Sequence, residues 1–351
     1  MGGLAQVNLR LETARFLSAK MPGSRIIPAC NLENAQDEML RELAEGLGRL
    51  TQKRIPSLYF YDPMGSVLYE QITHLPEYYL TRCEVEILRH RAPQMACMLH
   101  APIMTSTLVA LGSNPTDTTQ ILLDAWGAQH APVTYIPIDL SEDRLSSTAS
   151  ALCARYPYLQ VIALAGYYEN CLELLTPGKE RLYLCLGGSI GNFSRGVQNI
   201  FFMKLLERMG AGDKLLIGFD RVPHDKKSVQ VIEKAYNDEA QVTASFNRNI
   251  LSHLNKAVGA NFRLSTWQHE AIYNQEEQRI EMYLESTRFQ RVQIEHLGKT
   301  FVFEPGEKIL TEISRKFDPD ELADWFEALG YRCLASWTDA SEYYGMLLLE
   351  A

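Results

Sequence analysis

The sequence predicts an α/β chain: an open, mainly parallel sheet flanked by helices, joined to a second α+β unit. Three observations carry this. Apolar strand-like runs alternate with helix-like segments between residues 106 and 220, the pattern lapses near residue 222, and it returns after 316. Strands alternating with helices imply a parallel sheet with right-handed crossovers. In order, the predicted elements are a strand at 106–111 ("STLVAL"), a helix at 116–127, a strand at 133–140, and a helix at 141–156 with Ser141 as its N-cap. Strands at 159–165 and 181–188, a helix at 196–210 ended by glycine and a strand at 213–220 complete the first run. A long helix is expected over 226–259, followed by β-like segments at 262–273, 278–295 and 299–314. A helix at 318–330 and strands at 331–337 and 343–350 close the chain. Residues 83–222 and 316–351 are therefore expected to form the sheet domain. Residues 1–82, read as mainly helical, and 223–315 are expected to form the other.

Composition narrows the function. The chain has 351 residues, 46% hydrophobic and 22% charged, as in ordinary globular proteins. A net charge of −9 without a basic cluster argues against a nucleic-acid partner, because such binding rests on phosphate neutralisation. No apolar stretch is long enough to span a bilayer, and the first twenty residues lack the compact apolar core of a secretory signal. Gln6 stands where a myristoylation signal needs Ser or Thr. Seven scattered cysteines show no metal-ligand spacing, which predicts a cytoplasmic protein with core thiols and no metal. His74, His253 and His269 are read as core or surface residues. A small-molecule substrate is the default.

In parallel sheets, ligands gather at the carboxyl ends of the strands. Those ends are Gly112-Ser113, Asp139, Gly166-Tyr167 and Gly188 to Asn192. The segment 106–126, "STLVALGSNPTDTTQILLDAW", has the strand–turn–helix form of a nucleotide or adenosyl loop, with one glycine in the turn. Asp139 is placed to grip two ribose hydroxyls, or simply to cap the next helix. In "LGGSIGNF" (186–193) two glycines admit a ligand close to the backbone. Asn192 can donate and accept, which suits the ammonium and carboxylate of an amino acid; a plain strand-to-helix turn reads the same way. The tyrosine-dense stretch 57–82 is either core or an aromatic cage for an amine that gains methyl groups. Glu312 and Ser314 share one face of an alternating strand, to bind a polar ring or to meet solvent.

The blocks "YFYDPMGSVLYEQITHLPEYYLTR", "SIGNF", "AYNDEAQVTASFNRNIL", "RIEMYL" and "LTEISRKF" occur in this order. On them the chain resembles the ergothioneine-pathway L-histidine Nα-methyltransferases, over nearly its whole length from about residue 50. The resemblance implies a Rossmann-type class I methyltransferase sheet with a second α+β substrate-binding domain. It implies S-adenosylmethionine as donor, L-histidine as substrate and up to three methyl transfers, giving hercynine. It places the substrate pocket on Tyr61, Tyr69, Tyr78, Asn192, Tyr236, Met282, Glu312 and Ser314. Asn192 and Tyr236 would hold the α-amino and carboxylate groups, Glu312 and Ser314 would read the imidazole, and Tyr61, beside the amine, is the candidate proton acceptor. On the cofactor side it implies Gly112, Ser113, Thr118, Asp139, Tyr167 and Tyr168.

The cofactor loop departs from the family pattern. Where members commonly read "ELGSG" and then a lysine in the following helix, this chain has Ala110, Asn114, Pro115 and Thr118. Asn tolerates the left-handed backbone of a tight turn, whereas Pro removes a donor. The loop is therefore expected to bind S-adenosylmethionine about tenfold to a hundredfold more weakly than a glycine-rich version. Two competing readings stand beside the enzyme: a histidine-binding homologue that has lost catalysis, and an N-methyltransferase of another aromatic amino acid or a histidine derivative.

Overall fold

The computed structural model describes residues 23–29, 32–98, 107–112, 116–127, 133–175 and 181–351. In chain order the strands are β1 (Gly23–Pro28), β2 (Lys53–Arg54), β3 (Thr107–Leu111), β4 (Val133–Asp139), β5 (Leu159–Ala165), β6 (Arg181–Cys185) and β7 (Lys214–Asp220). Then follow β8 (Trp267–Asn274), β9 (Arg279–Ser286), β10 (Gln290–Ile294), β11 (Lys299–Phe303), β12 (Lys308–Arg315), β13 (Arg332–Thr338) and β14 (Tyr344–Glu350). The chain divides into two compact units: Met1–Asn31, Arg82–Arg221 and Phe317–Ala351 make one, and Leu32–Thr81 and Val222–Lys316 the other.

The first unit holds an eight-stranded sheet in the order β1-β5-β4-β3-β6-β7-β14-β13. Strands β1 and β3–β7 run parallel, and β14 lies antiparallel between β7 and β13. Strands β5 and β7 are buried along their full length, as a sheet covered on both faces requires. The crossover helices include Thr116–Gly127, Glu142–Arg155 and Arg195–Arg208. Ser141 caps the second of them, its Oγ accepting from Arg144 N at 3.3 Å. Strand order reverses between β3 and β6, so the carboxyl ends of β3, β4 and β6 frame the switch point where ligands bind.

Three differences from the sequence reading have physical causes. Residues 23–28 are a strand of this sheet, paired in register with β5, and not part of a helical substrate unit. The run "GSRIIP" is too short to show a period, and only the edge of β5 selects it. The helix expected over 226–259 is two helices, Val229–Lys234 and Val242–Ala257. Between them the buried Asp238 carboxylate accepts from Val242 N and Thr243 N, each at 2.8 Å, and starts a new helix, while Gln241 turns left-handed at φ 59. A short helix, Tyr168–Leu174, follows β5 where no helix was expected.

The second unit holds a four-stranded sheet, β2-β12-β9-β8, and the hairpin β10-β11. Helix Val242–Ala257 packs the tyrosine-dense stretch onto it. Phe246 stacks on Phe60 with ring centroids 4.5 Å apart, and meets Tyr61 and Tyr69 at 6.5 and 6.1 Å.

Candidate active site

In the first unit, Gly112 follows β3 at φ 100, and its N–H donates to Ile138 O at 2.9 Å. Asp139 ends β4. Its Oδ1 accepts from Ser141 N at 2.9 Å and its Oδ2 lies 3.5 Å from Arg144 Nη1. The turn reading of Asp139 is therefore real, and it is compatible with a second role, since a carboxylate offers about four lone-pair sites. Tyr167 caps the helix after β5 and Tyr168 begins it. Burial, then the Asp139 charge, pushes the Tyr168 hydroxyl up, so it stays protonated beside that carboxylate. Thr118 is buried on its helix. Ser113, Asn114 and Pro115 lie outside the described residues.

β6 ends at Cys185, earlier than its sequence suggested, because Gly187 and Gly188 both turn left-handed, at φ 73 and 68. Only glycine takes two such positions in succession without strain. The turn leads into a 3-10 segment, Ser189–Asn192, closed by Gly191 N donating to Gly188 O at 2.9 Å, which leaves Asn192 exposed. Backbone without Cβ at the ends of β3 and β6, with a carboxylate at the end of β4, fits an adenosyl cofactor.

Sequence reasoning missed Glu84. On helix Tyr79–Met98 it sits among Leu80, Cys83, Ile87 and Leu88, all buried, at the i, i+3, i+4 spacing of an apolar stripe. A charged residue inside such a stripe was the signal available. Its Oε1 accepts from Gly187 N and from Tyr344 OH, each at 2.7 Å. Burial pushes its carboxyl up to about 7 against the downward pull of the two hydrogen bonds from Tyr344 and Gly187. Burial likewise keeps the neighbouring Tyr344 hydroxyl and Cys185 thiol neutral, with Asp220 adding to the shift at Tyr344. In the unfolded chain Glu84 titrates near its ordinary 4.5. Between those two values the folded state holds a proton that the unfolded state releases, so this residue's stability contribution falls as pH rises from 4.5 through 7. Glu84→Gln is expected to gain on the wild type across that window, by up to about 3 kcal/mol at pH 8. Urea unfolding at pH 5 and pH 8 measures it; a difference that does not grow with pH would contradict the assignment.

In the second unit the structure brings most of the expected substrate residues into one connected group. Tyr61 and Tyr69 lie 6.3 Å apart, and Tyr78 and Tyr236 lie 6.2 Å apart, both pairs edge to face. Burial pushes the Tyr78 hydroxyl well above its usual range, followed by the Tyr69 and Tyr236 hydroxyls, a hydrogen bond to Tyr69 and the Glu312 charge. Tyr236 OH lies 2.9 Å from Ser314 Oγ, and the buried Lys316 ammonium donates to both oxygens at 3.0 Å. Met282 on β9 pairs in register with Glu312 on β12, next to a register shift between Leu310 and Glu312. Asn192 belongs to the first unit.

Supporting residues hold this group from behind. His269 Nε2 donates to Tyr236 O at 2.8 Å, and its Nδ1 accepts from Asn247 Nδ2 at 2.9 Å. That pattern is the neutral imidazole, in line with burial lowering its pKa. Asn247 Oδ1 in turn accepts from Thr311 at 2.7 Å. His253 contacts Tyr59 O, and His74 contacts Glu70 O. Among the described residues no cluster of His, Cys, Asp and Glu could hold a metal ion, and no helix is long and apolar enough to cross a membrane.

The chain is 39% identical to a histidine N-alpha-methyltransferase of Mycobacterium tuberculosis, over 88% of this chain and 93% of that one. It is 36% identical to one from Mycolicibacterium smegmatis, over 90% and 96%. A solved S-adenosylmethionine-dependent methyltransferase from Clostridium acetobutylicum shares 12% identity at a TM-score of 0.44, over 80% of this chain and 98% of that one. That likeness is too loose to carry weight, and the strand order stands without it. The model of the histidine-specific, S-adenosylmethionine-dependent methyltransferases matches residues 39–351, and the chain belongs to that family.

Proposed function

We propose that this protein methylates the α-amine of L-histidine, up to the trimethylated product hercynine, as a step of ergothioneine synthesis. One observation carries the choice of histidine. Glu312 and Ser314 leave one strand toward Tyr78 and Tyr236, so a carboxylate and a hydroxyl meet a tyrosine-lined group on one face. An imidazole offers two ring nitrogens to such a pair. In this reading Asn192 and Tyr236 hold the α-amino and carboxylate groups, while Met282 packs beside Glu312.

S-adenosylmethionine supplies the electrophilic methyl when bound; Gly112, Ser113, Thr118, Asp139, Tyr167 and Tyr168 would hold it. The amine must be neutral for its lone pair to accept a methyl in line with the sulfur that the methyl would leave, so the chain's part is to hold the amine deprotonated and aligned. Positioning therefore dominates the rate. Tyr61 is the proposed proton acceptor, directly or through water. Tyr78 is unsuited to that role, because burial holds it protonated. The first two transfers leave an amine that can attack again once deprotonated. The third leaves a fixed cation, which tyrosine faces stabilise by about 0.5–2 kcal/mol per contact. The six described cysteines are free thiols, which suits action in the reducing cytoplasm.

Incubation with histidine and S-adenosylmethionine, followed by mass spectrometry, is expected to show products with one, two and three added methyl groups. Histidine left unmodified by a chain that still binds it, with no S-adenosylhomocysteine binding by calorimetry at millimolar concentration, would instead identify a histidine-binding homologue that has lost catalysis.

A further inference from the structure

The geometry points to Glu84 as a positioning residue: it ties down the turn that carries Asn192, and so sets how well the amino-acid substrate is held. The argument starts from what occupies an apolar stripe. At Glu84's position a leucine would fill the same space without the cost of burying a carboxyl. The carboxyl is instead used twice, both times by Oε1: once by the backbone N–H of Gly187, once by the Tyr344 hydroxyl. Room for this meeting depends on Gly218, where a Cβ would lie 2.6 Å from both Glu84 Oε1 and Tyr344 OH. No cation pairs with Glu84 among the described residues, so the carboxyl's contacts are these two donors.

What the tie holds is the Leu186–Gly187 peptide, whose far side is fixed by Ser189 Oγ donating to Leu186 O at 3.0 Å. From there the two left-handed glycines and the Gly191 N to Gly188 O bond lead straight to Asn192. A glycine pair has more backbone freedom than any other dipeptide, so this turn needs an external restraint to hold one shape. Glu84 acts through the turn and does not itself touch substrate. The inference rests on the reading that Asn192 holds the amino acid.

The test uses the full chain with Glu84→Leu, Glu84→Gln and Glu84→Asp. Glu84→Leu is expected to lower kcat/KM for histidine by about 10- to 100-fold. Glu84→Gln keeps an acceptor oxygen in place and is expected to stay within about threefold of wild type. Should Glu84→Leu fail to fold, Glu84→Asp withdraws the acceptor by one methylene and is expected to show the same loss. Amide hydrogen exchange over residues 186–193 reads the tie independently of chemistry: it should quicken in Glu84→Leu and Glu84→Asp but not in Glu84→Gln. Unchanged exchange, or a kinetic loss that Glu84→Gln shares, overturns the inference. A wild type that leaves histidine unmethylated defeats the functional reading instead, and the exchange measurement still decides the tie.

Discussion

Glu312→Ala is expected to lower kcat/KM for histidine by about 10- to 150-fold, and to lower it much less for tryptophan. The carboxylate sits on β12 beside Met282 of β9, and it contributes to the upward shift of the buried Tyr78 hydroxyl. A ring N–H donating to it makes a charge-assisted hydrogen bond, worth about 1.5–3 kcal/mol. Each 1.4 kcal/mol is a factor of ten, which gives the stated range. Glu312 is only half-buried, so its removal leaves no sealed cavity and folding should survive. An indole is larger and has one ring nitrogen, so it cannot satisfy both Glu312 and Ser314. Kinetics on both amino acids with one variant preparation make the comparison. Equal losses for the two would remove Glu312 from ring recognition.

Gly65→Ala is expected to destabilise the protein by on the order of 3 kcal/mol and to raise KM for histidine. Helix propensity alone argues the other way, since Ala in place of Gly favours a helix by about 1 kcal/mol. Geometry decides. A Cβ on Gly65 would lie 1.7 Å from Phe60 O and 2.9 Å from its carbonyl carbon. Those are backbone atoms, which cannot swing aside as the end of a side chain can. Gly65 N also donates to Asp62 Oδ1 at 2.7 Å, and the same oxygen accepts from Asn249 at 2.7 Å, so the first helical turn is held on two sides. Relief requires the segment Ser57–Phe60 and helix Pro63–Thr73 to part, and Tyr61 lies between them. Denaturant unfolding and histidine kinetics report both effects. A variant as stable as wild type would show that the close approach is not maintained in solution.

Much of the candidate site was named from the sequence, and the reason is chemical. Tyr61, Tyr69, Tyr78, Tyr236, Glu312 and Ser314 belong to long, unusual blocks, and Glu312 and Ser314 carry a strand's period of two. The parts that were not legible depend on partners distant in the chain. Glu84 meets Gly187 and Tyr344, which lie 103 and 260 residues further along. Lys316 sits two residues from Ser314, yet its use becomes visible only when Tyr236, 80 residues earlier, stands beside both.

The sequence by itself determined the class of the sheet, the order of its strands after residue 106, and the Ser141 cap. Those follow from apolar period and local capping, which act over a few residues. Tertiary structure alone decided that Gly23–Pro28 is a strand, because an edge on β5 chooses it. It also decided that 226–259 breaks, because the buried Asp238 carboxylate is better satisfied by the free N–H groups of a new helix than by a continuous one. Burial is the common cause. A carboxyl removed from water must find donors wherever the fold supplies them, and no local pattern says where that will be.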